Sequence, residues 1–138
     1  MTRHTVSEAD VAFQRAFEAG AVQPREFDHR AHLRLAYVYL VRGGLADAER
    51  AMRQSLLAFL DLHRIPPAKF HETLTRAWVM AVWHFMNRRG SASFDEFAAH
   101  SRPLLDSKVM LVHYSAETLF SAGARSAFVQ PDLAAIPV

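Results

Sequence analysis

Helix-start and helix-stop signals recur along this chain from its first ten residues almost to its last, and nowhere does an apolar–polar alternation of strand period persist. That pattern restricts the chain to packed helices, because a half-buried strand needs a period of two. Ser7 stands where an N-cap would, with Asp10 at the third helical position. Val6 and Val11 occupy the two hydrophobic-staple positions around it. Phe13 and Phe17 share one face of this helix, and Gly20 stops it. Asp28 is placed to cap a second helix that runs through HRAHLRLAYVYLVR to Gly43–Gly44. A third is expected from about Leu45 to His63, with Leu45, Ala48, Met52, Leu56, Phe59 and Leu60 at helical spacing.

Pro66–Pro67 then open a fourth helix running to Asn87, since a first turn needs no amide donors, and Gly90 ends that stretch. Ser93 with Glu96 repeats the capping-box spacing and starts a short helix to about His100. Beyond Pro103 the spacing predicts short helical pieces in KVMLVHY and AETLF, then an extended PDLAAIPV tail. The expectation is all-α: one compact helical bundle, residues 1–138 forming a single domain, its C-terminal third wrapped on the front helices.

Composition narrows the classes. Hydrophobic residues make up 51% of the 138, enough to fill a core without disulfide or metal staples. With no cysteine, disulfides, thiolate metal sites and a Cys nucleophile are excluded, and a reducing cytoplasm is the expected setting. The opening MTRHTVSEADVAF lacks the apolar core of a signal peptide, and no apolar run approaches the roughly 20 residues of a membrane span, so no membrane partner is expected. Sixteen basic against fourteen acidic residues leave a formal +2, and the basic residues are dispersed, so no nucleic-acid partner is expected either.

The unusual entry is histidine, with eight residues. His29 and His32 are three apart at the start of the second helix, on one face and within reach of a common ion. Neutral imidazole ligates zinc, copper, iron and nickel. His71 is expected one turn into the fourth helix, on the inward face shared with Thr75, Trp78 and Val82. There it is either a buried histidine bonded to a carbonyl or a third ligand, with Thr75 as a substrate contact. Glu72 lies about 100° round the helix from it and is a candidate ligand or general base, or else one half of an i,i+4 pair with Arg76. His113 closes the apolar VMLVHYS stretch, where Tyr114 beside it offers a phenol and Asp106 and Lys108 offer a nearby ion pair. His4, in a terminus expected to be mobile, and His63, His84 and His100, near helix ends, read as structural. No phosphate loop, G-x-S-x-G elbow, HExxH or dinucleotide fingerprint is present. Only one Glu-x-x-His spacing occurs, Glu26 to His29, against the two of a carboxylate di-iron bundle.

Taken together, FDHRAHLRLAYVYL (27–40), KFHETLTRAW (69–78), LLDSK (104–108), HYSAETLFS (113–121) and the AR…FVQPDL run (124–133) resemble a family of small bacterial helical proteins. The resemblance spans most of the chain in one order and implies a common fold. It implies that His29, His32, His71, Glu72 and His113 belong to the family pattern, with Thr73, Thr75, Asp106 and Lys108. Relatives with an FHHxDH-like run differ at Asp28 and Ala31, the second difference removing an acidic group. The reaction is left open by this likeness.

The leading expectation is a small metal-dependent enzyme acting on a small molecule, with redox chemistry among its options. A divalent transition metal (iron, copper or zinc) would be held by His29, His32, His71 and His113, with Glu72, Thr75 and Tyr114 as catalytic candidates. The rival expectation is a non-catalytic helical binding or interaction module whose histidines pack and hydrogen-bond. A helix-turn-helix nucleic-acid binder is disfavoured by the balanced charge. The sequence sets no oligomeric state.

Overall fold

A computed structural model describes residues 3–137, which are all-α: helices account for 67% of the chain, and no strand occurs among the described residues. Helix α1 spans Glu8–Glu18 and begins as its sequence requires. The Ser7 hydroxyl accepts the Asp10 amide at 3.1 Å, and the Asp10 carboxylate accepts the Ser7 amide at 3.0 Å. Gly20, at φ +77°, turns the chain out of α1, and a Cβ there would collide with the Leu62 side chain.

Helix α2 runs from His29 to Leu62, capped by Asp28, whose carboxylate accepts the Ala31 amide at 2.9 Å. The second and third helices expected from the sequence are thus one helical run, broken at the expected place. Gly44 adopts φ 79° and ψ −173°, a conformation open to glycine and costly for other residues, and it kinks the helix there. The N-terminal arm carries the apolar run 35–40, buried on every side, and the C-terminal arm buries Ala48, Met52, Leu56 and Phe59. Phe59 stacks on Phe17 with ring centres 4.7 Å apart, which fixes α1 against α2.

The fourth expected helix begins later than its proline pair suggests. Pro67–Lys69 is a single 3-10 turn, Phe70 and His71 are extended, and helix α3 covers Glu72–Met86. Pro66 sits at ψ 137°, an extended geometry, and Pro67 opens only the 3-10 turn, so the proline pair precedes α3 without starting it. Helix α4, Phe94–His100, starts at Ser93 as expected, the Ser93 hydroxyl accepting the Glu96 amide.

Asp10 ties these pieces together. It is 1% exposed, and besides closing its own cap it accepts the Phe94 amide at the start of α4 (3.0 Å) and Arg34 Nε from α2 (2.9 Å). Residues 3–5 are tied down, contrary to the expectation for His4: His4 and Ser91 form a parallel bridge, and the Arg3 carbonyl and Thr5 amide bond Ser91. The His4 ring lies edge-on to Tyr37 and Phe97, with Nε2 donating to the Met86 carbonyl at 2.5 Å.

The C-terminal third is built from short pieces. KVMLVHY forms a 3-10 turn over Val109–Val112, helix α5 covers Ala116–Leu119, and a helix not foreseen, α6, covers Ala122–Ser126. These pieces lie on α3: Thr73 donates to the Ala127 carbonyl and accepts the Val129 amide. In PDLAAIPV the chain bends at 132–134 and turns Ile136 into the same hydrophobic cluster that holds Phe17, Tyr37 and Trp78.

Candidate functional site

A cleft of about 340 Å³ opens where the start of α2, the C-terminal arm of α2 and the start of α3 meet. Phe27, Phe59, Phe70 and Trp78, with Leu56, Leu60 and Leu74, make its walls apolar. Its polar groups are Asp28, His29, His32, Lys69, His71 and Thr75. The structure therefore gathers three of the four histidines expected at the site, and Thr75, around one space. Their states differ, and hydrogen bonding sets the differences.

His71 is the N-cap of α3 rather than a residue one turn inside it. Its Nδ1 accepts the Leu74 amide at 3.0 Å, so the proton is on Nε2, which donates to the Leu119 carbonyl at 2.6 Å. Both nitrogens are engaged, and the ring fastens α5 to α3. Burial pushes its pKa below the usual imidazole value; the bond to Leu119 opposes that and the Arg125 charge adds to it.

His29 turns Nε2 to the Leu104 carbonyl at 2.8 Å, which leaves the lone pair on Nδ1, and its ring meets Trp78 edge-on at 4.5 Å. The His32 ring has no hydrogen-bond partner among the described residues. Burial in the cleft wall pushes its pKa down to about 4, with the neighbouring His29 adding to the effect, so its ring is neutral at physiological pH. It faces Phe27 at 5.8 Å.

The other expected site residues lie elsewhere. Glu72 points to Arg53 on α2 at 3.1 Å, while Arg76 pairs with Glu49, so the expected Glu72–Arg76 pair is not formed. Glu72 lines a separate arginine-rich cleft of about 230 Å³, which shares only Phe70 and Thr75 with the first. Tyr114 is fully buried and donates to the Val129 carbonyl at 2.7 Å; burial, then the Asp132 charge, raises its pKa, and its hydroxyl acts as a packing tie. His113 Nδ1 donates to the Ala134 carbonyl at 2.8 Å, away from the cleft. Asp106 accepts the Lys108 amide in a local turn and makes no ion pair with the Lys108 side chain.

Among the described residues, no group of three or more histidine, aspartate or glutamate side chains is arranged to hold a metal ion. The four-histidine centre is not assembled, because His71 has no lone pair to give and His113 is bonded to the C-terminal segment. Sequence reasoning placed Trp78 beside His71 and Thr75 but missed Phe27, Phe70 and Lys69 as parts of the cleft. Phe27 and Phe70 each precede a helix cap within two residues, a signal that both helices enter beside one apolar space. No family model, curated protein or solved structure matches this chain. None of the described helices is long and apolar enough to cross a membrane.

Proposed function

We propose that this chain binds a small molecule in the imidazole-lined cleft, its histidines acting as hydrogen-bonding walls rather than as the ligand set of a metal. The observation that carries this reading is His32: a neutral, unpartnered imidazole set among aromatic walls in a space of about 340 Å³. That is the ordinary make-up of a small-ligand site, mostly apolar with a few convergent polar groups. A neutral imidazole presents one donor and one acceptor, enough to orient a ligand's polar group. With its pKa near 4, His32 is a weak base at neutral pH, which favours binding over proton abstraction.

One observation favours metal-dependent catalysis as a second reading. His29 Nδ1 and the His32 ring are free of hydrogen bonds and sit one turn apart on the same cleft wall. A fragment screen by NMR on metal-free protein separates the two, following the ring protons of His32 and the indole N–H of Trp78. Fragment shifts at these positions without metal support the binding reading. Shifts that need an added divalent ion favour the catalytic one. Shifts confined to other surfaces overturn both.

A further inference from the structure

The cleft's charge and shape narrow its ligand. Phe27 and Phe59 flank it on one side, with ring centres 5.5 Å apart, and Phe70 and Trp78 also line it, leaving flat apolar surfaces that suit an aromatic ring system. Two charged side chains line the space. Asp28 is committed: its carboxylate accepts the Ala31 amide at the N-terminus of the first arm of α2, where the helix's partial positive charge offsets it. Lys69 is not committed. It closes the 3-10 turn at the cleft's edge and makes no ion pair among the described residues. The backbone amide of Lys69 is bonded to the Pro66 carbonyl, which holds the turn at the cleft while the ammonium stays available. His32, with its pKa near 4, is neutral and adds no charge beside it.

From this geometry we infer that the cleft takes a flat aromatic monoanion, its ring between the aromatic walls and its carboxylate or equivalent acidic group at Lys69. The inference rests on the binding reading above and adds the ligand's class to it. A volume of about 340 Å³ suits one fused ring pair with a single substituent and is at the small end of ligand sites. The neutral imidazole of His32 supplies a donor to the acid's second oxygen, a bond that needs no buried counter-charge.

Three probes of one shape and different charge test this: naphthoate, naphthamide and naphthylmethylammonium. Binding is followed by quenching of Trp78, in a Trp83→Phe background that leaves one indole. Naphthoate is expected to bind about fivefold more tightly than the amide, the scale of one solvent-exposed charge contact, with the ammonium weakest. Lys69→Gln, at an exposed position, should bring naphthoate to within about twofold of naphthamide. Equal affinity of acid and amide, or indifference to Lys69→Gln, overturns the anion inference while the cleft remains a binding site. If no probe of any charge quenches Trp78, and the fragment screen likewise leaves the cleft silent, the binding reading falls with it.

Discussion

Replacing His71 by alanine removes two hydrogen bonds from one ring, and the cost can be worked from the structure. The first bond is an N-cap: Nδ1 accepts the Leu74 amide, and losing such a cap costs about 1 kcal/mol. The second leaves the Leu119 carbonyl without its donor; Leu119 is 2% exposed, so an unsatisfied group there costs about 1–3 kcal/mol. Together His71→Ala should destabilise the fold by about 2–4 kcal/mol in urea unfolding, with metal present or absent. His71→Asn separates the two parts. Asparagine is a favoured N-cap but lacks the distal ring nitrogen that reaches Leu119, so it should recover about 1 kcal/mol. Hydrogen exchange should show the α5 amides opening more readily in both variants. A loss below about 0.5 kcal/mol for His71→Ala would refute the two-bond assignment. So would an alanine variant of unchanged stability that had lost a metal-dependent rise in Tm; that result would return His71 to a metal.

Three further outcomes follow from other residues. His32 has a folded-state pKa near 4, below the 6.5 of the free group, so the unfolded chain takes the proton first as pH falls. Stability should therefore be full above pH 6.5 and decline toward pH 4 by about 3 kcal/mol, and urea midpoints of His32→Leu should show a flatter decline. Asp10→Ala leaves Arg34 and the Phe94 and Ser7 amides without their carboxylate, and thermal unfolding should report a loss of about 3–5 kcal/mol. Gly44→Ala meets no neighbouring atom, so its loss of about 1–3 kcal/mol in the same assay would come from backbone strain alone; no loss would show that the kink relaxes.

How much of this was legible in the sequence depended on whether the signal was local. Ser7 with Asp10, Asp28, Ser93 and Gly20 mark their helix ends correctly, because caps and stops act within four residues of themselves. Periodicity likewise placed Thr75, Trp78 and Val82 on the buried face of α3. Pro66–Pro67 misled because proline suits both a helix start and an extended linker, and the choice was made by Phe70 and His71 turning toward the cleft. That His29, His32 and Thr75 line one space is in keeping with their helix faces, whereas His71 joins them as the extended N-cap of α3 rather than from a helix face. The state of the histidines was not legible: the carbonyls of Leu104, Leu119 and Ala134 that engage His29, His71 and His113 lie 21 to 75 residues away, and no residue type advertises a carbonyl. Glu72 likewise chose Arg53, 19 residues back, over Arg76 one turn on.

The way Asp10 and His4 reach across the molecule also sets the order in which the chain can settle. The carboxylate of Asp10 waits for an amide 84 residues later, and the His4 ring for a carbonyl 82 residues later. During synthesis the first helix can wind and find its cap as soon as it emerges, and α2 brings it Arg34 and Phe59, but the Phe94 amide that completes the Asp10 junction does not exist until α3 has passed and α4 has begun. Such distant closures raise the entropic cost of the folding barrier. Until then α1 is held by α2 alone, with Phe17 against Phe27 and Phe59 and Arg34 over the Phe13 ring, and the junction with α4 is the last part of its setting to form.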